Sequence, residues 1–302
     1  MHVSLETMPF GNGAGTIKFP DQVMKASRGP MSRITVGSIT AKPRDGNSGD
    51  VYYFHPQKQW SLNSLGLPNP GMEVYKKWLP AMVDIAHGTG KTLWASISPF
   101  SPEECGEMAQ ACLADGVDGV EINGRCPNVY QEGRRKAIPA LDPSAAEEMF
   151  RVLGRYVESM DRISFKLSPT RDKHLLSRLA VVFNTYDIRQ LVCCNAKADQ
   201  EGTRVDGKPA LAFRSSAEDQ VRHQGGLGGS KVFTENLRVA KAMRGLMPEA
   251  DIIGIGGILT GVDAELYLEL GCIGFQSTTG YLEFGNHLFV EILMHLSDKV
   301  LA

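Results

Sequence analysis

The chain has 302 residues, 42% hydrophobic and 22% charged, a length that suits one large α/β barrel or two smaller domains with a sizeable core. A formal net charge of −2 speaks against a nucleic-acid partner, which needs a basic face, so small molecules are the expected partners. The six cysteines, Cys105, Cys112, Cys126, Cys193, Cys194 and Cys272, show no metal-type spacing, which predicts no metal site, no disulfide framework and a reducing, cytoplasmic setting.

The N-terminal "MHVSLETMPFGNGAG" has no basic stretch followed by an apolar core, and no window approaches ~20 uninterrupted apolar residues, so neither a secretory signal nor a membrane partner is expected. The first β-rich run is "RITVGSI" at 33–39, followed by the polar, turn-rich "LNSLGLPNPG" at 62–71, which carries Asn63. "GTGKT" at 88–92 imitates a phosphate-binding P-loop but has Ile85 where that motif needs a glycine.

"TLWASIS" reads as the next strand. "SPEECGEMAQACLADG" follows as a helix, with Ser101 and Glu104 spaced for a capping box. "GVDGVEIN" ends in "GRCPNV", where Cys126 stands in a loop between Asn123 and Asn128. A lone cysteine is more often a small buried hydrophobe, but an exposed thiol at a strand end is placed to act as a base or nucleophile. Asp142 and Pro143 start a helix as N-cap and first-turn residues.

"RISFKLS" places Lys166 inside an apolar strand, which is costly unless the ammonium meets a partner, so an anionic or electron-accepting group is expected beside it. "QLVCCN" ends at Asn195. The polar stretch 196–224 that follows is too long for an ordinary strand–helix connection and is either disordered or a binding loop.

"TENLRVAKAMRGLM" and "GVDAELYLELG" are amphipathic helices on either side of "ADIIGIGG", and "GFQSTT" is the last strand. "GIGGIL" lacks the third glycine of a dinucleotide fingerprint, since Leu259 stands there. The consecutive strand ends "IGIGGILTG" and "FQSTTGYL", with Gly256, Gly257, Thr278 and Thr279, instead suit the phosphate turns that follow the last two strands of a parallel barrel. Seven buried-type strands alternating with helices predict an α/β fold.

These residues resemble the dihydroorotate dehydrogenases, in particular the soluble class with a catalytic cysteine. The family pattern Asn-x-x-Cys-Pro-Asn matches Asn123, Cys126, Pro127 and Asn128. "FGNGAG", "NSLGLPN", "KLSP", "GGLGG" and "GIGGILTG" follow in the family's order over nearly the whole chain.

The resemblance implies a (β/α)8 TIM barrel formed by residues 1–302 as a single FMN-binding domain, with an active-site loop near 124–141 and an insertion near 196–224. It implies FMN held by Ala14, Gly15, Asn123, Lys166, Gly229, Gly256, Gly257, Thr278 and Thr279, and no metal. Cys126 would take a proton from the carbon beside the substrate carbonyl while hydride passes to the flavin, and Lys166 would stabilise negative charge developing on the flavin ring. Asn63, Leu65, Gly66, Leu67, Asn123, Asn128 and Asn195 would bind the substrate, with a soluble electron acceptor and a homodimer implied as well.

The chain departs from the family pattern at four places, and the first two lie at the substrate end. Gly37 stands where the family carries a lysine that touches flavin and substrate, Ala196 where a hydroxyl residue is usual, Gly124-Arg125 for Leu-Ser, and Thr278 for a phosphate-site glycine. Either another cation, from Arg125, Arg134 or Arg135, replaces the missing lysine, or the ring substrate differs.

Overall fold

The computed structural model describes residues 4–124, 130–131, 134–135, 138–215 and 220–300. Eight strands close into a barrel: β1 (Phe10–Asn12), β2 (Arg33–Ile39), β3 (Thr92–Ile97), β4 (Gly119–Asn123), β5 (Ile163–Lys166), β6 (Gln190–Cys193), β7 (Asp251–Ile255) and β8 (Gly274–Ser277). Every neighbouring pair is parallel and consecutive in the chain, and β8 closes on β1 through Phe10 opposite Phe275. With a helix after each strand, this is a (β/α)8 barrel.

Seven of these strands correspond to the β-rich runs of the sequence. The eighth, β1, is only three residues long. A strand that short has no periodicity to detect, and it forms because β8 on one side and β2 on the other supply its hydrogen bonds.

The helices start where the capping residues stand. Ser101 accepts from the Glu104 N–H at 3.1 Å, and Asp142 accepts from the N–H groups of Ser144 and Ala145. The Ser101–Glu104 capping box is only half made, because the Glu104 carboxylate accepts from Phe100 N–H, one residue beyond the N-cap. Large apolar side chains such as Leu79, Phe150, Phe183 and Tyr267 are fully buried, and Phe150 and Phe183 pack on Phe165 of β5.

Over the carboxyl ends of the strands lies a second, antiparallel sheet in the order Lys197–Gln200, Gly225–Gly229, Trp60–Asn63, Tyr52–His55. The polar stretch 196–224 therefore contributes the edge strand Lys197–Gln200, and Trp60, Leu62 and Leu227 of the sheet form a separate apolar cluster with Leu211 and Phe213.

Candidate functional site

The strand ends and the second sheet enclose a cleft of about 1450 Å³, open mouth included. Apolar and polar side chains both line it, as is usual for a small-molecule site. Its floor and walls bring together Asn123, Lys166 and Asn195 from the ends of β4, β5 and β6, with Asn63 and Leu65–Leu67 from the turn-rich segment after Trp60. Ala14 and Gly15 follow β1, while Gly229, Gly256, Gly257, Thr278 and Thr279 line the side nearest β7 and β8. Cys126 and Asn128 lie outside the described residues, as does Arg125, and of Arg134 and Arg135 only the backbone pairing with 130–131 is described.

Lys166 is the last residue of β5 and is buried. Its Nζ lies 3.2 Å from Glu121 Oε1 inside the barrel. Glu121 Oε2 accepts from Gln276 Nε2 at 3.0 Å and faces Arg33 Nη2 at 3.8 Å, and the Arg33 guanidinium lies over the Trp94 ring. Two buried cations thus share one carboxylate. Burial alone would raise the Glu121 pKa, but the charges of Lys166 and Arg33 and the hydrogen bonds from Gln276 and Lys166 hold it below the ordinary value. Burial lowers the Arg33 pKa to about 10 against the opposing pull of Glu121, so the guanidinium stays charged near neutrality. The partner that the sequence demanded for Lys166 is therefore a carboxylate on the neighbouring strand, and the cluster keeps an excess positive charge beneath the cleft.

The asparagines form a relay rather than isolated turns. Asn195 Nδ2 donates to Asn123 Oδ1 at 3.0 Å, Asn123 Nδ2 donates to Ser38 Oγ at 3.4 Å, and Ser38 Oγ lies 3.0 Å from Ser96 Oγ. Across the cleft Asn63 Nδ2 donates to Gly226 O at 3.2 Å, joining the two central strands of the second sheet. Side chains fixed in this way present amide groups to a ligand with little loss of rotamer freedom on binding.

The glycine turns leave backbone exposed to the cleft. Gly257 has φ +80°, and a Cβ there would lie 2.6 Å from Phe233 Cβ, so the turn admits no side chain. The N–H groups of Gly257 and Thr279 make no backbone hydrogen bond among the described residues. Gly15 has φ +98° and only open space where its Cβ would stand, which leaves the cleft unobstructed there.

Gly37 is fixed as tightly. Its φ is +110°, and a Cβ would lie 2.3 Å from the Ser96 carbonyl oxygen of β3, so no side chain fits without moving the sheet. Ala196 packs toward the second sheet, 3.1 Å from the Cβ position of Gly226.

Among the cleft residues not singled out from the sequence are Lys18, Tyr52, Ser61 and Asn236. Ser61 Oγ lies 2.7 Å from Thr279 Oγ1, and the Tyr52 hydroxyl donates to Glu283 at 2.7 Å. Burial, then that hydrogen bond, raises the Tyr52 pKa. Asn236, fully buried, donates from Nδ2 to the carbonyls of Cys194 and Ile255 and ties β6 to β7. A polar residue on the inner face of "TENLRVAKAMRGLM", beside Val239 and Ala240, was the available signal for it. Lys18, alone in "GTIKF", had none.

A family model described as Dihydroorotate dehydrogenase matches residues 3–300. The chain is 28% identical to a Trypanosoma cruzi protein named dihydroorotate dehydrogenase (fumarate), over 94% of this chain and 87% of that one. It is 27% identical to the Methanopyrus kandleri dihydroorotate dehydrogenase B (NAD(+)) catalytic subunit, over 82% of this chain and 73% of the relative. With the Dechloromonas aromatica dihydroorotate dehydrogenase (quinone) it shares 25% identity, over 96% of this chain and 83% of the other.

Proposed function

The chain belongs to the dihydroorotate dehydrogenase family, and from that premise we propose that it is an FMN-dependent oxidoreductase acting on a ring CH–CH bond, with dihydroorotate to orotate as its reaction. The observation that carries this reading is the convergence, in one cleft at the carboxyl end of the barrel, of the buried Lys166 ammonium, three asparagine amides and the side-chain-free turn at Gly256–Gly257.

These residues fit FMN. Gly229, Gly256, Gly257, Thr278 and Thr279 would hold its phosphate with backbone N–H groups and hydroxyls. Ala14, Gly15, Asn123 and Lys166 would lie along the ring, where the open space over Gly15 leaves room for a planar group. FMN, when bound, supplies the hydride acceptor.

The chain's own residues supply the rest. Asn63, Asn123, Asn128 and Asn195, with the Leu65–Leu67 backbone, orient the substrate ring and its carboxylate. Cys126 takes the proton from the carbon beside the ring carbonyl. Lys166, held by Glu121, keeps positive charge at the floor of the cleft, where it favours negative charge arriving above it.

A second reading, oxidation or reduction of a related heterocycle or enone, is favoured by Gly37 and Ala196, which stand where the family pattern has a cation and a hydroxyl. For the electron acceptor we propose a soluble molecule, by resemblance to the cysteine-using class. Among the described residues no helix is long and apolar enough to cross a membrane. The same resemblance supports a cytoplasmic homodimer with one barrel domain per chain, 124–141 as its active-site loop and 196–224 as an insertion beside the site. The experiment that tests the cofactor is its content: FMN copurifies or reconstitutes at about one per chain, and protein that takes up no FMN overturns the reading.

A further inference from the structure

We propose that Lys18 grips the carboxylate of the ring substrate, supplying from the turn after β1 the cation that Gly37 does not provide from β2. The inference rests on the reading of the site given above and adds to it a residue that sets specificity.

The backbone places Lys18 beside the gap. Ile17 pairs in parallel with Val36, its carbonyl accepts the Gly37 N–H at 2.9 Å, and Gly15 N–H donates to the Gly37 carbonyl at 2.7 Å. The segment before Lys18 is thus joined to β2 at Gly37, and Lys18 is the next residue to leave it. Its own N–H is fixed by Gln22 Oε1 at 2.6 Å.

The side chain runs into the cleft, where Nζ donates to the Pro68 carbonyl at 2.8 Å. Pro68 continues the Leu65–Leu67 wall of the cleft. One hydrogen bond to a neutral carbonyl uses one of the three ammonium protons. Among the described residues no carboxylate pairs with Lys18. Lys166 is committed to Glu121, which leaves Lys18, among the described residues, as the cleft ammonium without an ion-pair partner. Burial lowers its pKa, so a carboxylate bound beside it would restore what burial removes.

Dihydropyrimidine rings carry neutral amides. A substrate with one carboxylate therefore needs one such cation, and an ammonium held by a backbone carbonyl is already oriented to meet it. Gly37, with its positive φ and the Ser96 carbonyl against it, cannot be the source.

The test compares orotate with uracil, the same ring without the carboxylate, by absorbance titration of the FMN-loaded protein. Wild type should prefer orotate. Lys18→Met should weaken orotate binding roughly 10- to 100-fold, in the range of a charged hydrogen bond, and leave uracil affinity and FMN content as they were. Lys18→Arg should keep most of the preference. Equal losses for both ligands, which a purely structural clamp on Pro68 would produce, overturn the assignment. So does an unchanged orotate affinity in Lys18→Met, or a wild type that does not distinguish the two ligands. Bleaching of wild-type flavin by dihydroorotate together with any of these three results removes Lys18 alone and leaves the proposed function standing. Orotate-selective binding without bleaching by any dihydropyrimidine supports Lys18 and contradicts the reaction.

Discussion

A free thiol has an ordinary pKa of about 8.5, so at neutral pH Cys126 would act through a small thiolate fraction, and the rate of flavin reduction should climb as pH approaches that value. Cys126→Ser keeps a hydroxyl of similar size but is a far weaker base. Stopped-flow measurement should find FMN content retained and single-turnover reduction slower by orders of magnitude; equal rates would make the cysteine structural. Glu121 carries a different kind of prediction. Replacing it with leucine leaves Arg33 and Lys166 buried without a counter-charge, and loss of one partner of a buried pair typically costs about 3–5 kcal/mol. Urea denaturation should show a loss of that size. Because the folded pKa of Glu121 is depressed, its contribution is complete above the ordinary glutamate value of about 4.3 and is lost as pH falls through the lower folded value. The leucine variant should lack that acid-dependent component. Lys166 was legible in the sequence because an apolar strand seldom tolerates a lysine. Its partner was not, since Glu121 lies 45 positions away and only the β4–β5 register brings the two together.

Among the elements, the turn after β7 is the most exacting. Gly257→Asp puts a side chain at positive φ against Phe233 and adds negative charge to the proposed phosphate turn. The purified variant should be colourless under conditions in which wild type retains FMN, and a full flavin content would show that the phosphate lies elsewhere. The two late turns were readable because the Gly256–Gly257 and Thr278–Thr279 pairs stand at consecutive strand ends. The turn carrying Lys18 was not, because a single lysine after "GAGTI" looks like any solvated charge until Ile17 is seen to pair with Val36. The stretch 196–224 shows the same limit. Its polarity allowed disorder or a binding loop, and the strand Lys197–Gln200 exists only because Gly225–Gly229 lies beside it as a template. A strand made by its neighbour leaves little mark in its own residues.

At the scale of the whole molecule, the barrel was legible because seven continuous apolar runs, many of them separated by amphipathic stretches, have few other ways to bury both faces of a parallel sheet. The charged cluster inside it was less so, since barrel interiors are usually filled by branched apolar side chains, and here Arg33, Glu121, Lys166 and Gln276 occupy part of that space. The arrangement places charge beneath the cleft and amides around it, as a flavin and a polar ring would require. The measurement that tests this most directly is anaerobic titration of the FMN-loaded protein with dihydroorotate, followed by the flavin absorbance. The flavin should bleach, with orotate formed in step with it. A flavin that stays oxidised with dihydroorotate in excess would contradict the proposed function.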